Sequence, residues 1–132
     1  MFYYQATVSS QDIDAAGIMF YANFFTHIHN AYEAFMDHKG FNLMKIISET
    51  QWLLPIVHAE MDYKKSVTQD EHITIELSLA EIGKHSFAIN YTMKNELHES
   101  VALARTVHVA LSRKTQTKTV IPNDLKLALS LP

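Results

Sequence analysis

The sequence contains no cysteine, and this absence removes three kinds of site. The chain can form no disulfide framework, has no thiolate nucleophile and offers no zinc site of the cysteine type. It also lacks an excess of positive charge, because 11 Lys and Arg face 14 Asp and Glu, a formal net charge of -3. Nucleic acids and anionic membranes select clustered Lys and Arg, so neither is an expected partner.

Long apolar segments are absent as well. No run approaches the roughly 20 apolar residues of a membrane-spanning helix. The opening residues MFYYQATVSS have no basic segment followed by an apolar one, as a secretory signal would. We therefore expect a cytoplasmic protein with no membrane span. A length of 132 residues with 48% apolar content predicts one domain, residues 1–132, with a substantial core.

Apolar residues recur at helical spacing from Phe24 to Met36, which predicts a buried helix over residues 23–38. Asn23 is the expected N-cap, and Gly40 is the expected stop signal. The segment FNLMKII predicts a further helical turn, and Pro122 and Asp124 predict a last short helix in the tail.

The remaining apolar segments alternate with a period of two and predict about five strands. These segments are FYYQATV, LLPIVHAEMDYKKSV, HITIELSL, FAINYTM and VALARTVHVAL. Short turns join them, so the prediction is an α+β fold with one antiparallel sheet and one helix lying on it. A single helix cannot cover both faces of such a sheet, so we expect a second copy to cover the rest.

The segment QDIDAAGIMFYANFF, residues 11–25, places Asp12 and Asp14 just before the predicted helix. Aspartate is favoured there whatever the function, so local sequence alone favours a capping or turn role for both. The segment also closely resembles the signature of hotdog-fold acyl-CoA thioesterases of the 4-hydroxybenzoyl-CoA thioesterase-like group. That signature is Asp-x-Asp-x-x-Gly, three apolar or aromatic residues, Tyr or His, any residue, Asn and an aromatic residue.

The resemblance extends over nearly the whole chain. VHAEMDYKKSVTQDEHITIEL is similar to the second strand and following turn of the family, and ARTVHVALSRKT is similar to its last strand. What this implies is a single hotdog thioesterase domain, in which an antiparallel five-stranded sheet wraps around one long central helix.

The resemblance further implies hydrolysis of an acyl-CoA thioester to a free carboxylic acid and CoA. Asp14 would be the catalytic carboxylate, acting as nucleophile or as general base, and the backbone N–H of Tyr21 would hold the oxyanion. Elementary chemistry agrees, because a helix start offers unpaired N–H groups and the positive end of the dipole. No cofactor is implied beyond the coenzyme A of the substrate. The expected assembly is a homodimer or homotetramer with the active site at the subunit interface.

Other positions receive roles in the same way. Gly17 is expected to serve a turn with positive φ or a close approach of the substrate. Asn23 combines capping with a place at the substrate site, whereas Asp12 is expected only to structure the loop. By position, the candidates for binding CoA are Lys84, His85 and Ser86, with Lys64 and Lys65 as further cations for phosphate.

The chain departs from the family pattern at one position of the predicted helix. The 4-hydroxybenzoyl branch and its neighbours usually carry an acidic residue six positions after Asn23, and this chain has His29 there. The difference makes aliphatic or unsubstituted aryl acyl groups as plausible as hydroxybenzoyl. The carrier is either CoA or an acyl carrier protein.

Eight histidines raise the question of a metal site. His27 and His29 are two residues apart, so on a helix they point to different faces and cannot chelate together. We therefore predict no metal. Two alternatives to the thioesterase remain. A hotdog dehydratase of hydroxyacyl thioesters would use His27 or His29 with an acid, and a non-catalytic acyl-binding module would not need Asp14.

Overall fold

Two apolar periodicities in the sequence become helices and strands in the computed structural model, which describes residues 1–132. The helices are α1 (Tyr21–His38), α2 (Leu43–Glu49) and α3 (Asn123–Ser130). The strands are β1 (Phe2–Thr7), β2 (Trp52–Leu53), β3 (Ile56–Tyr63), β4 (His72–Ile82), β5 (Ser86–Lys94), β6 (Ser100–Val109) and β7 (Leu111–Ser112). A 3₁₀ turn spans Ser10–Asp12.

Five of the strands form one antiparallel sheet in the order β1-β4-β5-β6-β3. The predicted five-stranded antiparallel sheet with one long helix is thus confirmed, and β6 is one of its inner strands. Neighbours in the sheet are often distant in the chain, since Phe2 pairs with Leu77 and Ile56 with His108. β2 and β7 form a separate two-stranded ribbon.

The alternation along the strands directs one set of side chains into the core. In β4, Ile73, Ile75 and Leu77 are at most 1% exposed, whereas the residues between them are half-buried. Helix α1 buries a wide stripe in the same core, formed by Phe24, His27, Ile28, Ala31, Tyr32, Phe35 and Met36. The sheet and α1 therefore share one hydrophobic core, which fixes the position of the helix start.

Helix α1 ends in a Schellman motif, the double hydrogen bond that closes a helix C-terminus. The N–H of Gly40 donates to the carbonyl of Asp37 at 3.0 Å, and the N–H of Phe41 donates to that of Met36 at 2.8 Å. Gly40 has a φ of +89°, a conformation that costs glycine little. The predicted stop at Gly40 is confirmed.

Helix α2 and the β2–β7 ribbon are held together by Arg113, a residue that sequence analysis did not single out. Its guanidinium donates to the carbonyls of Thr50 at 3.0 Å and Ile46 at 3.1 Å, and also to that of Ile47. These bonds satisfy carbonyl groups at the end of α2. α3 begins directly after Pro122, as predicted.

Strand β3 is shorter than the predicted segment, because Pro55 lies just before it and the chain turns after Tyr63. It is an edge of the sheet and almost all its side chains are exposed, including Val57 at 58%. An exposed edge strand presents unpaired backbone groups to another chain.

No helix of the protein has both the length and the apolar content needed to cross a membrane.

Candidate active site

Asp14 begins a short hairpin loop that leads into α1. The N–H of Asp14 donates to the carbonyl of Ile18 at 3.0 Å, and the N–H of Gly17 donates to the carbonyl of Asp14 at 3.0 Å. Ile13 and Met19 pair as an isolated antiparallel bridge at the base of this loop. Gly17 has a φ of +82°, which confirms the predicted positive φ, and no atom lies within 4 Å of where its Cβ would be.

The Asp14 carboxylate makes only one hydrogen bond, as acceptor from the N–H of Ala16 at 2.8 Å. That bond lies within the loop and leaves the other oxygen without a protein partner. Asp14 is half-buried and is not the cap of α1, because the residue that precedes the helix is Phe20. The capping interpretation of Asp14 is therefore excluded, and its carboxylate lines an open cavity.

The start of α1 has no side-chain cap. Phe20 makes no capping hydrogen bond, and the N–H groups of Tyr21 and Ala22 take part in none of the loop, turn or cap bonds. Residues in the first turn have no acceptor inside their own helix, so these two N–H groups are free. They also lie at the positive end of the helix dipole.

The prediction that Asn23 caps α1 is wrong. The helix begins at Tyr21, and Asn23 is the third residue of its first turn. Its side-chain amide instead donates across the loop to the carbonyl of Asp12 at 3.0 Å. Because Asn23 is engaged there, it does not occupy the N–H groups of the helix start.

A cavity of about 420 Å³ joins Asp14 to this helix start. Its lining includes the aromatic rings of Phe20, Tyr21, Phe24 and Tyr63, and the cations Lys64 and Lys65. Lys65 pairs with Glu99, whereas Lys64 has no ion-pair partner. The cavity thus combines a carboxylate, free N–H donors, aromatic walls and one unpaired cation.

Tyr63, at the end of β3, was not singled out from the sequence although it lines this cavity. Its hydroxyl donates to the carbonyl of Tyr21 at 2.9 Å. Its ring meets that of Phe24 edge-on, with centroids 5.0 Å apart. Burial, with a smaller contribution from Tyr21, raises the pKa of Tyr63 above its usual value. Tyr63 therefore remains a neutral donor at neutral pH.

Asp12 structures the loop, as predicted, but in a way that involves α1. Its carboxylate accepts from the N–H of Ser9 at 2.9 Å and from Nε2 of His27 at 3.0 Å. Burial by itself would raise the pKa of Asp12, but these hydrogen bonds outweigh burial and hold the pKa below its usual value. Asp12 is thus an ionised carboxylate that is already bonded to Ser9 and His27, whereas the Asp14 side chain bonds only Ala16.

The histidines on α1 point to different faces, as predicted. His27 is buried against Asp12, and the exposed His29 lies 3.1 Å from Glu33 one turn further along. Neither lines the Asp14 cavity. The dehydratase alternative therefore has no histidine at the site that Asp14 and the helix start form.

Lys84, His85 and Ser86 lie at the other end of the sheet. Ser86 pairs with Val109, and the ring of His85 donates to the carbonyl of Thr119 at 2.9 Å. Ile56 marks the end of β3 that lies level with Ser86, because Ile56 pairs with His108 and His108 pairs with Phe87. The Asp14 cavity lies beside Tyr63, which is seven residues further along β3, or about 23 Å at strand spacing. Within one protomer these three candidates for binding CoA are therefore not brought to Asp14.

A second set of side chains, which includes polar ones, is buried at the same helix–sheet interface. This His108 cluster consists of Tyr32, Phe87, Tyr91, Thr106 and His108. Thr106 lies 2.8 Å from both Tyr91 Oη and His108 Nε2, and the His108 ring stacks between Tyr32 and Phe87 at centroid distances of 4.3 and 4.9 Å. His108 is 0% exposed, and burial lowers its pKa to about 4.

Comparison with known proteins gives consistent results. The family described as "Thioesterase-like superfamily" matches residues 8–129. The 1,4-dihydroxy-2-naphthoyl-CoA hydrolase of Synechococcus elongatus is 32% identical over 124 residues, 93% of this chain and 90% of that protein. The protein of the same name from Rippkaea orientalis is 31% identical, over 92% of this chain and 90% of its own.

Solved structures extend the comparison to the fold. The structure of a 1,4-dihydroxy-2-naphthoyl-CoA thioesterase from Synechocystis matches with a TM-score of 0.92 at 27% identity, covering 97% of this chain and 94% of its own. A gentisyl-coenzyme A thioesterase matches with a TM-score of 0.89 at 25% identity, covering 98% and 100%.

Proposed function

This chain belongs to the thioesterase-like superfamily and is a hotdog-fold acyl-CoA thioesterase, and from that premise we propose that Asp14 carries the hydrolysis. One observation carries this assignment above all. The Asp14 carboxylate, with one hydrogen bond, lines the same cavity as the uncapped start of α1. An attacking group and donors for the developing charge are thereby placed together.

The free N–H of Tyr21, supported by that of Ala22, is the proposed oxyanion donor. As the thioester carbon becomes tetrahedral, its oxygen gains negative charge, which the N–H groups and the helix dipole stabilise. Losing one such donor costs an enzyme about 3 kcal/mol of transition-state stabilisation. The hydroxyl of Tyr63, bonded to the carbonyl of Tyr21, fixes the peptide group next to this donor.

Two routes lead to the same products. In the first, Asp14 removes a proton from water, the water oxygen attacks the thioester carbon, and the C–S bond breaks to release the thiol. In the second, an oxygen of Asp14 attacks the thioester carbon and the C–S bond breaks, which leaves a mixed anhydride and releases the CoA thiolate. Water then hydrolyses the anhydride, which regenerates Asp14 and releases the carboxylic acid, and a proton from that water goes to the thiolate. As proposed, both routes use only protein groups and water, with coenzyme A entering as part of the substrate.

The proposed acyl group is a hydroxylated aromatic acid. The relatives at about 32% identity are named for 1,4-dihydroxy-2-naphthoyl-CoA, and one structural neighbour for gentisyl-CoA. The four aromatic rings that line the Asp14 cavity suit this chemistry, because aromatic rings pair favourably in offset or edge-on geometry. This assignment departs from the sequence-based expectation that plain aryl or aliphatic groups fit equally well.

We also propose that the site is completed in a homodimer, alone or within a homotetramer. The exposed edge of β3 is free to pair with a second copy. If two β3 strands pair antiparallel about a two-fold axis, the start of one meets the end of the other. The partner's Lys84 and the partner's Ser86 would then approach Asp14, where they could contact CoA. Lys64 is the proposed phosphate ligand from the same protomer, and the cytoplasm is the proposed location.

The test is thiol release from a panel of CoA thioesters by the native protein and by Asp14→Asn. The panel contains 1,4-dihydroxy-2-naphthoyl-, gentisyl-, benzoyl- and palmitoyl-CoA. We expect kcat/KM for the hydroxyaryl substrates to fall at least 100-fold in the variant. Asp124→Asn, at the start of α3, is the matched control and should retain native activity. Retention of activity by Asp14→Asn within tenfold would move the chemistry to another group.

A further inference from the structure

We propose that Asp12 and His27 form a positioning pair that holds the Asp14 hairpin in register with the start of α1. The inference rests on the catalytic role proposed for Asp14. Neither residue lines the Asp14 cavity, so the pair acts through the loop and not on the substrate. The pair sets the distance between the Asp14 carboxylate and the N–H of Tyr21.

The pair joins two separate elements. His27 lies in the second turn of α1, and Asp12 ends the 3₁₀ turn two residues before Asp14. Their side chains meet at 3.0 Å and are only 9% and 14% exposed. An ionised carboxylate can only accept, so Nε2 of His27 carries the proton and donates. Water competes poorly for a bond this sheltered, which makes it a durable link.

The backbone of Asp12 reinforces the same link. Its carbonyl accepts from the N–H of Phe20 at 2.9 Å and from the amide of Asn23 at 3.0 Å. Asp12 is therefore tied to α1 through its side chain at His27 and through its carbonyl at the helix start. The base of the hairpin has two further backbone bonds, from the N–H of Met19 to the carbonyl of Val67 at 2.7 Å and from the N–H of Ile13 to the carbonyl of Ser10 at 3.4 Å.

Asp14 has no comparable tie of its own. Its side chain bonds only Ala16, which moves with the hairpin. The position of Asp14 relative to the helix start is thus set by the residues at the base of the loop. A misplacement of about 1 Å in an active site can lower the rate on the order of 100-fold. Loss of the Asp12–His27 bond should therefore lower kcat while substrate binding in the cavity persists.

A purely structural role predicts a different result. If the pair only stabilised the fold, its loss would reduce the amount of folded protein and leave kcat per folded molecule unchanged. The ion pair between Lys94 and Glu76 provides the matched control, since it has the same 3.0 Å separation and is also partly buried. It joins β4 to β5 and touches neither the hairpin nor α1.

The experiment compares four variants by steady-state hydrolysis of an aryl-CoA thioester, with circular dichroism to confirm folding. His27→Phe keeps a ring but removes the donor, and we expect kcat to fall at least tenfold with KM changed less than twofold. His27→Gln places an amide N–H near the position of Nε2, and it should restore kcat to within threefold of native. Glu76→Gln should leave kcat unchanged. Asp12→Ala removes the acceptor and provides a second disruption from the other side of the bond, should His27→Phe fail to fold.

Adding His27→Phe to Asp14→Asn should lower kcat no further, because the misplaced group is already absent. The proposal is overturned if His27→Phe or Asp12→Ala retains kcat within twofold, or if the Gln and Phe variants behave alike. These outcomes differ from a failure of the proposed function, in which Asp14→Asn would itself remain active. They are therefore distinguishable in one set of assays.

Discussion

The Asp14 cavity and the His108 cluster lie on the same interface between α1 and the sheet, but they differ in the exposure of their polar groups. In the His108 cluster, Tyr91, Thr106 and His108 are bonded in a row and covered by aromatic rings. At the Asp14 cavity, a carboxylate and two backbone N–H groups remain largely unpaired beside exposed rings.

The contrast suggests that one region serves mainly the stability of the fold and the other mainly the reaction. Polar groups that are covered by other side chains, as in the His108 cluster, cannot contact a substrate and act only on the fold. Groups that are left unpaired at the edge of a cavity lower the free energy of unfolding but are available to a substrate. Substitutions in the His108 cluster should therefore affect unfolding, and those at the Asp14 cavity should affect turnover.

The largest expected effect compares two phenylalanines. Phe87→Ala removes a ring that is 1% exposed and stacked on His108, which should lower the free energy of unfolding by about 4 kcal/mol. Phe20→Ala removes a ring that is 42% exposed at the Asp14 cavity, and should cost less than about 1 kcal/mol. Urea unfolding measures both, and hydrolysis assays should show a raised KM only for Phe20→Ala. Equal stability losses would break the contrast.

Lowering the pH should destabilise the protein, because His108 is buried. Its folded pKa of about 4 lies below the usual histidine pKa of 6.5, so the unfolded chain binds a proton more readily than the native protein. Stability is therefore fully present above pH 6.5 and is lost as pH falls towards 4, by about 3 kcal/mol in total. Urea midpoints from pH 7 to 4 measure this loss. His108→Gln cannot titrate, and if it shows the same acid loss, the assignment to His108 is wrong.

A smaller effect should follow from Tyr91→Phe. The hydroxyl of Tyr91 lies 2.8 Å from that of Thr106 in the sealed cluster. Its removal leaves Thr106 bonded to His108, so we expect a loss of about 1 kcal/mol in the free energy of unfolding. The hydrolysis rate of the folded protein should be unchanged. A drop in kcat greater than twofold would connect the cluster to catalysis and weaken the contrast.

The smallest stability change should come from Tyr63→Phe, the equivalent substitution at the open site. Its hydroxyl bonds the carbonyl of Tyr21, and the residue is 43% exposed. We expect the free energy of unfolding to change by less than about 0.5 kcal/mol. The peptide next to the proposed oxyanion donor should loosen, lowering kcat by about threefold. A stability loss larger than that of Tyr91→Phe, with kcat intact, would reverse the expected order.

The sequence predicted the elements well because their signals are local. Alternating residues such as Ile73, Ile75 and Leu77 define strands, and Gly40 ends α1 where a positive φ is needed. The start of α1 was placed two residues late because Asn23 matches a capping residue locally. Its amide is instead used by Asp12 on the opposite side of the loop, a contact that local sequence does not encode.

The site was predicted only in part for the same reason. Asp14, Gly17 and Tyr21 lie within one short segment, so the family signature named all three as candidates, and the structure places Asp14 and Tyr21 at one cavity. Tyr63 is 42 residues from Tyr21 in the chain, and His27 is 15 residues from Asp12, so their contacts emerge only from the fold. The roles of Lys84, His85 and Ser86 stay predictions, because a single protomer places them away from Asp14.

The pairing of Phe2 with Leu77 has a consequence for how the protein is made. Strand β1 and helix α1 leave the ribosome first, but β4 is completed only after most of the intervening chain has been synthesised. At about 5–20 residues per second, the apolar stripe of α1 waits several seconds for the sheet that will bury it. Such distant pairing also slows folding. The nascent chain therefore exposes this apolar stripe while the rest of the sheet is being made, and exposed apolar surface of this kind is prone to aggregation.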